Sequence, residues 1–90
     1  MSDNKVSDNK AFWDKIEAVV EDLLQYHRSQ LLKSGRRIIP HLTQDDLLQP
    51  NDYLELELDP HFRYDEGVLA GIQTLQMALQ ALKTHLTHRE

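Results

Sequence analysis

Between Gly67 and Leu82 the chain runs without one charged side chain and without a proline. Through and just beyond that stretch, Val68, Ile72, Leu75, Leu79, Leu82 and Leu86 recur at alternating spacings of four and three. This repeat lines large aliphatic side chains along one seam of a helix. A second row, Gly67, Gly71, Thr74, Ala78 and Ala81, keeps the same spacing about 100° around the helix. Small side chains in register let another backbone come close. A helix with a bulky seam, a small-residue seam and no charge between them needs neighbours on two sides. The pattern therefore predicts a helix over about 65–87 whose cover comes partly from another polypeptide or from the connector that precedes it. Gln73, Gln76 and Gln80 mark the side expected to meet water. The Gly67 to Gly71 spacing is a specific association signal only in lipid, and no segment reaches the ~20 apolar residues of a membrane span.

One partner for that helix is supplied by the N-terminal third. Ser7, Asp8 and Asn9 are candidate N-caps, because their side-chain oxygens can accept from the free amides of a first helical turn. A helix over 9–34 follows, with Gly35 expected to end it in the left-handed conformation. Phe12, Trp13, Ile16, Val19, Val20, Leu23, Leu24 and Leu31 gather on one broad face, and Asp14, Glu17, Glu21, Gln25 and Arg28 lie opposite. Residues 1–8, which carry the first copy of a repeated Ser-Asp-Asn-Lys, are expected to be flexible.

The connector over 35–64 is far longer than the roughly two to eight residues that join most bundle helices, so it must hold structure of its own. From Leu42 to Pro60 it carries six carboxylates and no Lys or Arg. Thr43 with Asp46 resembles a capping box for a turn over 44–48 that Pro50 stops, and Asp52 with Glu55 repeats the device. Asp59 before Pro60 is a third start signal. Leu54-Glu55-Leu56-Glu57-Leu58 fits either a helical turn or a strand. A strand would need a mate, for which Arg36 to Ile39 is the internal candidate, and the helical turn is favoured. Leu47, Leu48, Leu54, Leu56 and Leu58 are expected to cover something.

Several functions are disfavoured by composition. A net charge of −5 with scattered basic residues repels phosphate backbones, so no nucleic-acid partner is expected. Without cysteine there is no disulfide framework, thiolate chemistry or Cys-type zinc site. With no apolar run at the start, this points to the cytoplasm. His41, Asp45, Asp46, Asp59 and His61 could surround a divalent cation if the connector doubled back, yet they match no ligand motif, and no cofactor is expected. His85 and His88 share the last helical turn but lack a third ligand, and His27 suits a buried imidazole bonded to Tyr26 or the connector.

The expectation is an all-α chain with two long antiparallel helices, about 9–34 and 65–87, joined by a partly helical acidic connector over 35–64. Residues 9–90 then form a single hairpin domain, associating as a helical-bundle homodimer or docked on another protein. Its function is expected to be a non-enzymatic interaction module, such as an adaptor, small chaperone or subunit. The working residues are Val68, Gly71, Ile72, Leu75, Ala78, Leu79, Leu82 and Leu86, with Leu75 and Leu79 as central anchors. The alternative is a small metal-dependent or acid/base enzyme using the connector's carboxylates and histidines.

Overall fold

A computed structural model describes residues 2–87, with side chains described over 9–86. Its elements are α1 (Ser2–Arg36), 3-10 turns over Asp45–Leu48 and Pro50–Asp52, the single turn α2 (Leu54–Glu57), and α3 (Pro60–Thr87). The fold is all-α, and no strand occurs among the described residues. Residues 54–58 take the helical alternative.

α1 starts ahead of the expected residue 9, so Ser7, Asp8 and Asn9 lie inside it rather than at its cap. Polar residues of this kind cost less than about 0.7 kcal/mol each in a helix interior, and with no Gly or Pro before Gly35 nothing stops the helix. The expected flexibility of residues 1–8 falls outside the described side chains. At the other end the expectation for Gly35 fails, because no described residue has a positive φ and the helix continues to Arg36. Gly35 is needed for closeness instead. A Cβ there would collide with Leu42 Cδ2 and sit 3.4 Å from Phe62 Cε1. The chain then turns through Ile38 and Ile39, whose amides donate to the Gly35 carbonyl at 3.0 and 2.8 Å, while Arg36 Nε donates to the Leu42 carbonyl at 2.8 Å.

α3 begins at Pro60 rather than near Asp65. Asp59 Oδ1 accepts from the Phe62 amide at 2.8 Å and the Asp59 carbonyl accepts from the Arg63 amide at 3.0 Å, so the Asp-Pro start signal governs. The connector thereby shrinks to 37–59. Within it the Thr43 capping box forms reciprocally: the Thr43 amide donates to Asp46 Oδ2 at 2.9 Å, and the Asp46 amide donates to Thr43 Oγ1 at 3.3 Å. The Asp52 and Glu55 box does not form. Asp52 is used up in the preceding turn, which leaves Tyr53, a residue that offers no side-chain cap, ahead of α2.

The core gathers at the connector end. Val20, Leu24 and Leu31 of α1, Ile39 and Leu42 beyond it, Leu56 of α2, and Phe62 and Leu69 of α3 are buried. Leu24, Leu42, Leu56 and Phe62 are fully enclosed, each worth about 1.5–3 kcal/mol relative to exposure. Of the five connector leucines expected to cover something, Leu56 is buried and Leu47 packs against the core, whereas Leu48, Leu54 and Leu58 face solvent. Two side-chain pairs tie α1 to α3. The Ser34 hydroxyl donates to the Asp65 carboxylate, and Lys83 Nζ meets Glu17 Oε1 at 2.9 Å. The result is a rod of 57 × 19 × 19 Å.

The glycines give a contrasting pair of expectations for thermal melts. Gly35→Ala gains helix propensity of about 1 kcal/mol but overpacks Leu42 and Phe62 at a cost of about 1–3 kcal/mol, so it should lower Tm. Gly71→Ala has open space within 4 Å of the new methyl and should raise Tm. A rise at both positions would contradict the close approach at Gly35.

Candidate interaction surface

The line by which α3 faces α1 runs Phe62, Asp65, Leu69, Ile72, Gln76, Leu79 and Lys83, at alternating spacings of three and four. Three polar residues sit in it, and each is accommodated. Asp65 is met by Ser34 and Lys83 by Glu17, while Gln76 is half-buried beside a cleft of about 240 Å³ whose walls include Trp13, Ile16, Val20 and Leu79. This setting rotates α3 away from the orientation expected from its aliphatic seam. Large residues at the connector end, Phe62 and Leu69, decide it, because both belong to the buried cluster with Leu42 and Leu56, and Phe62 lies against Gly35.

The predicted seam is consequently divided. Ile72 and Leu79 turn inward and pack against the core, and Val68 is half-buried. Leu75, Leu82 and Leu86 face outward, 51%, 47% and 44% exposed. Leu79 is thus a wall of the interhelical cleft rather than a central outward anchor; Gln76 is half-buried at that cleft, whereas Gln73 and Gln80 are exposed as expected. The small-residue row stays open from end to end. Gly67, Gly71, Thr74, Ala78 and Ala81 are all exposed, and nothing approaches the Cβ positions of Gly67 or Gly71 within 4 Å. The connector does not cover this row. Its residues Leu47, Leu48 and Pro50 lie against the opposite side of the helix pair, over Arg28 and Leu31 of α1 and Leu69 and Ala70 of α3.

α1 is rotated in the same way. Trp13, Glu17, Val20, Leu24 and Leu31 face inward, while Phe12, Val19, Leu23 and Tyr26, the first three of them expected inside, are exposed. Spacings of seven, four and three place these four on one narrow stripe. The signal for it was the width of the apolar arc of α1, broader than one neighbour can cover.

Two of the connector's carboxylates are used structurally. Asp46 belongs to its capping box, Asp59 caps α3, and His41, Asp45 and His61 are exposed. Among the described residues no three His, Asp or Glu side chains converge as ligands of a metal would. His27 makes an edge-to-face contact with Tyr26 at 5.0 Å in place of the expected hydrogen bond; His85 is exposed, and His88 lies outside the described residues. The Thr43 amide holds the Asp46 carboxyl below its ordinary value, with smaller help from the Thr43 hydroxyl and His41. Desolvation and the negative charge of Asp46 push the Tyr53 hydroxyl up. No described helix is long and apolar enough to cross a membrane.

No family model matches the chain, and comparison with curated proteins and with solved structures gives no match either.

Two sets of melts check this geometry. Leu69→Ala should cost about 2–5 kcal/mol, whereas Met77→Ala, at an exposed site, should stay within about 0.5 kcal/mol, and equal losses would contradict the rotation of α3. Asp46→Ala should lower Tm at neutral pH. Because the fold favours the ionised carboxylate, that contribution is present above the ordinary carboxyl value of about 4 and disappears as pH falls through the lowered one. The Tm gap from the parent chain should therefore close in acid, and a gap that persists at pH 2 would remove Asp46 from the capping role.

Proposed function

We propose that the chain is an antiparallel helical hairpin that serves as a non-enzymatic protein–protein interaction module, an adaptor, small chaperone or subunit working in the cytoplasm. The antiparallel arrangement is supported by the two ties, Ser34 to Asp65 near the connector and Glu17 to Lys83 far from it. One observation carries the functional reading. Leu75, Leu82 and Leu86 stand exposed beside a row of small residues, on a helix with no charge from Gly67 to Leu82. Scattered exposed leucines need no explanation, but a contiguous apolar strip marks a docking surface. Of the residues expected to do this work, Leu75, Ala78, Leu82 and Leu86 form the accessible strip, Gly71 adjoins it, and Val68 edges it.

Size arguments support the same reading. The accessible surface is 6951 Å², against roughly 5,400 Å² for a compact folded monomer of this mass. The radius of gyration is 17.7 Å, against about 12 Å for a compact chain of ninety residues. A two-helix layer cannot enclose its own apolar residues, and a docked surface is the physical remedy.

The test combines light scattering, circular dichroism and binding of an apolar fluorescent dye, with the double variant Leu75→Glu, Leu82→Glu. Both side chains are about half exposed, so helicity should be retained while self-association, or dye binding by a monomer, falls at least tenfold. Unchanged association and dye binding would move the working surface away from α3.

A further inference from the structure

We propose that the occupant of the open face is a second copy of this chain, packed α1 on α1 and α3 on α3 about a twofold axis that passes Val19 on α1 and the Gln80–Ala81 step on α3. This rests on the hairpin reading above and adds the partner and its register. On each helix the exposed stripe lies about 100° from the inward line, in the same rotational sense when each is viewed from its own N-terminus. In helices that run in opposite directions, equal senses put both stripes on the same side of the layer. Phe12, Val19, Leu23 and Tyr26 therefore join Leu75, Leu82 and Leu86 in one composite face, with the connector on the other side.

The register follows from the spacing of the stripes. An isologous contact between facing helices pairs each position with its mirror about the axis. On α1, Phe12 and Tyr26 are equidistant from Val19; on α3, Leu75 and Leu86 are equidistant from the step between Gln80 and Ala81. These two centres lie at the same height. Glu17 touches Lys83, so two residues further along α1 corresponds to two residues back along α3. A single twofold axis needs this coincidence, whereas a partner of another sequence does not.

Charge and area agree with a second copy. Lys15 and Asp22, both exposed at the outer edge of the α1 stripe, are equidistant from a point within one residue of Val19, so Lys15 of each copy meets Asp22 of the other across the rim. Between them the face carries no charge on α3 up to Leu82. The surface in excess of a compact monomer, about 1,500 Å², is ample for the ~800 Å² that each partner contributes to a standard interface.

The chain has no cysteine, so Val19→Cys creates a single thiol at a site 60% exposed. Facing helices 8–10 Å apart bring residues on the axis within the roughly 4.4–6.8 Å Cα separation that a disulfide requires. The unmodified chain should sediment at twice its monomer mass. Mild oxidation should convert the Val19→Cys chain to a covalent dimer at least tenfold faster than Leu48→Cys, whose thiol sits on the connector side. A dimer whose Val19→Cys thiol links no faster than that control overturns the proposed axis. A monomer at all concentrations that still binds apolar dye through Leu75 and Leu82 overturns the second copy but leaves the interaction module standing. A monomer that binds no dye removes both.

Discussion

Everything distinctive about this chain depends on how α1 and α3 are rotated against each other. The two inward lines repeat at three and four, but neither is purely apolar: one contains Glu17 and Ser34, the other Asp65, Gln76 and Lys83. Polar groups between two helices cost free energy unless they are paired, and here the pairs lie at the two ends of the contact. Ser34 meets Asp65 where the core is densest, and Arg37 Nη2 also donates to Ser34 Oγ at 3.3 Å. Glu17 meets Lys83 where the core has given way to a partly open cleft. The outer pair is about two-fifths exposed, so its direct contribution is small and screened. It is nonetheless consistent with the rotation set at the connector end, since with Lys83 on the inward line Leu82 and Leu86 face outward.

The connector then makes the two sides of the layer unequal. Gly35 admits Leu42 at a distance no side chain would allow and lies against Phe62, and this pins the connector's start beneath the helix crossing. From there the capping box at Thr43 and the cap at Asp59 close a path of short turns over the side that carries Arg28 and Ala70. Each is a local hydrogen bond satisfying an amide at the start of a turn, so the acidic segment costs little and covers one face only. The other face is left to Phe12, Val19, Leu75 and Leu82.

How much of this was legible depended on whether the signal was local. Helix content, the helical turn at Leu54, the Thr43 box and the Asp59–Pro60 start rest on residues within four positions of each other and can be read from the sequence, although the equally local Asp52–Glu55 box fails because the preceding turn takes up Asp52. Starts and stops near Asn9 and Gly35 could not, since they depended on weighing weak preferences against uninterrupted helix on one side and against packing by Leu42 on the other. The uncharged row of α3 was legible as a chemical pattern but not as a direction. A seam of six aliphatic residues reads as one face until Phe62 and Leu69 claim the inward position and leave Ile72 and Leu79 inside, Leu75 and Leu82 outside. Nothing within α3 decides that rotation; the tertiary contacts of its first two turns do. The outward stripe on α1 was hidden for the converse reason, that a broad apolar arc does not announce which half will be left uncovered.

Charge distribution bears on whether such a face can meet its like. A net charge of −5 opposes self-association at long range, but removing the six carboxylates of residues 42–60 leaves the remainder of the chain at +1. Those six lie on the connector, which packs on the far side of the layer from Val19 and Leu82. At 0.1 M ionic strength the Debye length is about 10 Å, comparable to the spacing of two packed helices, so that acid is largely screened at the open face. The negative charge is thus placed where it does not hold two apolar faces apart. Within the acidic segment, Asp46 and Asp59 serve as helix starts, and its other carboxylates lie on the side of the layer away from a surface whose own chemistry is nearly neutral.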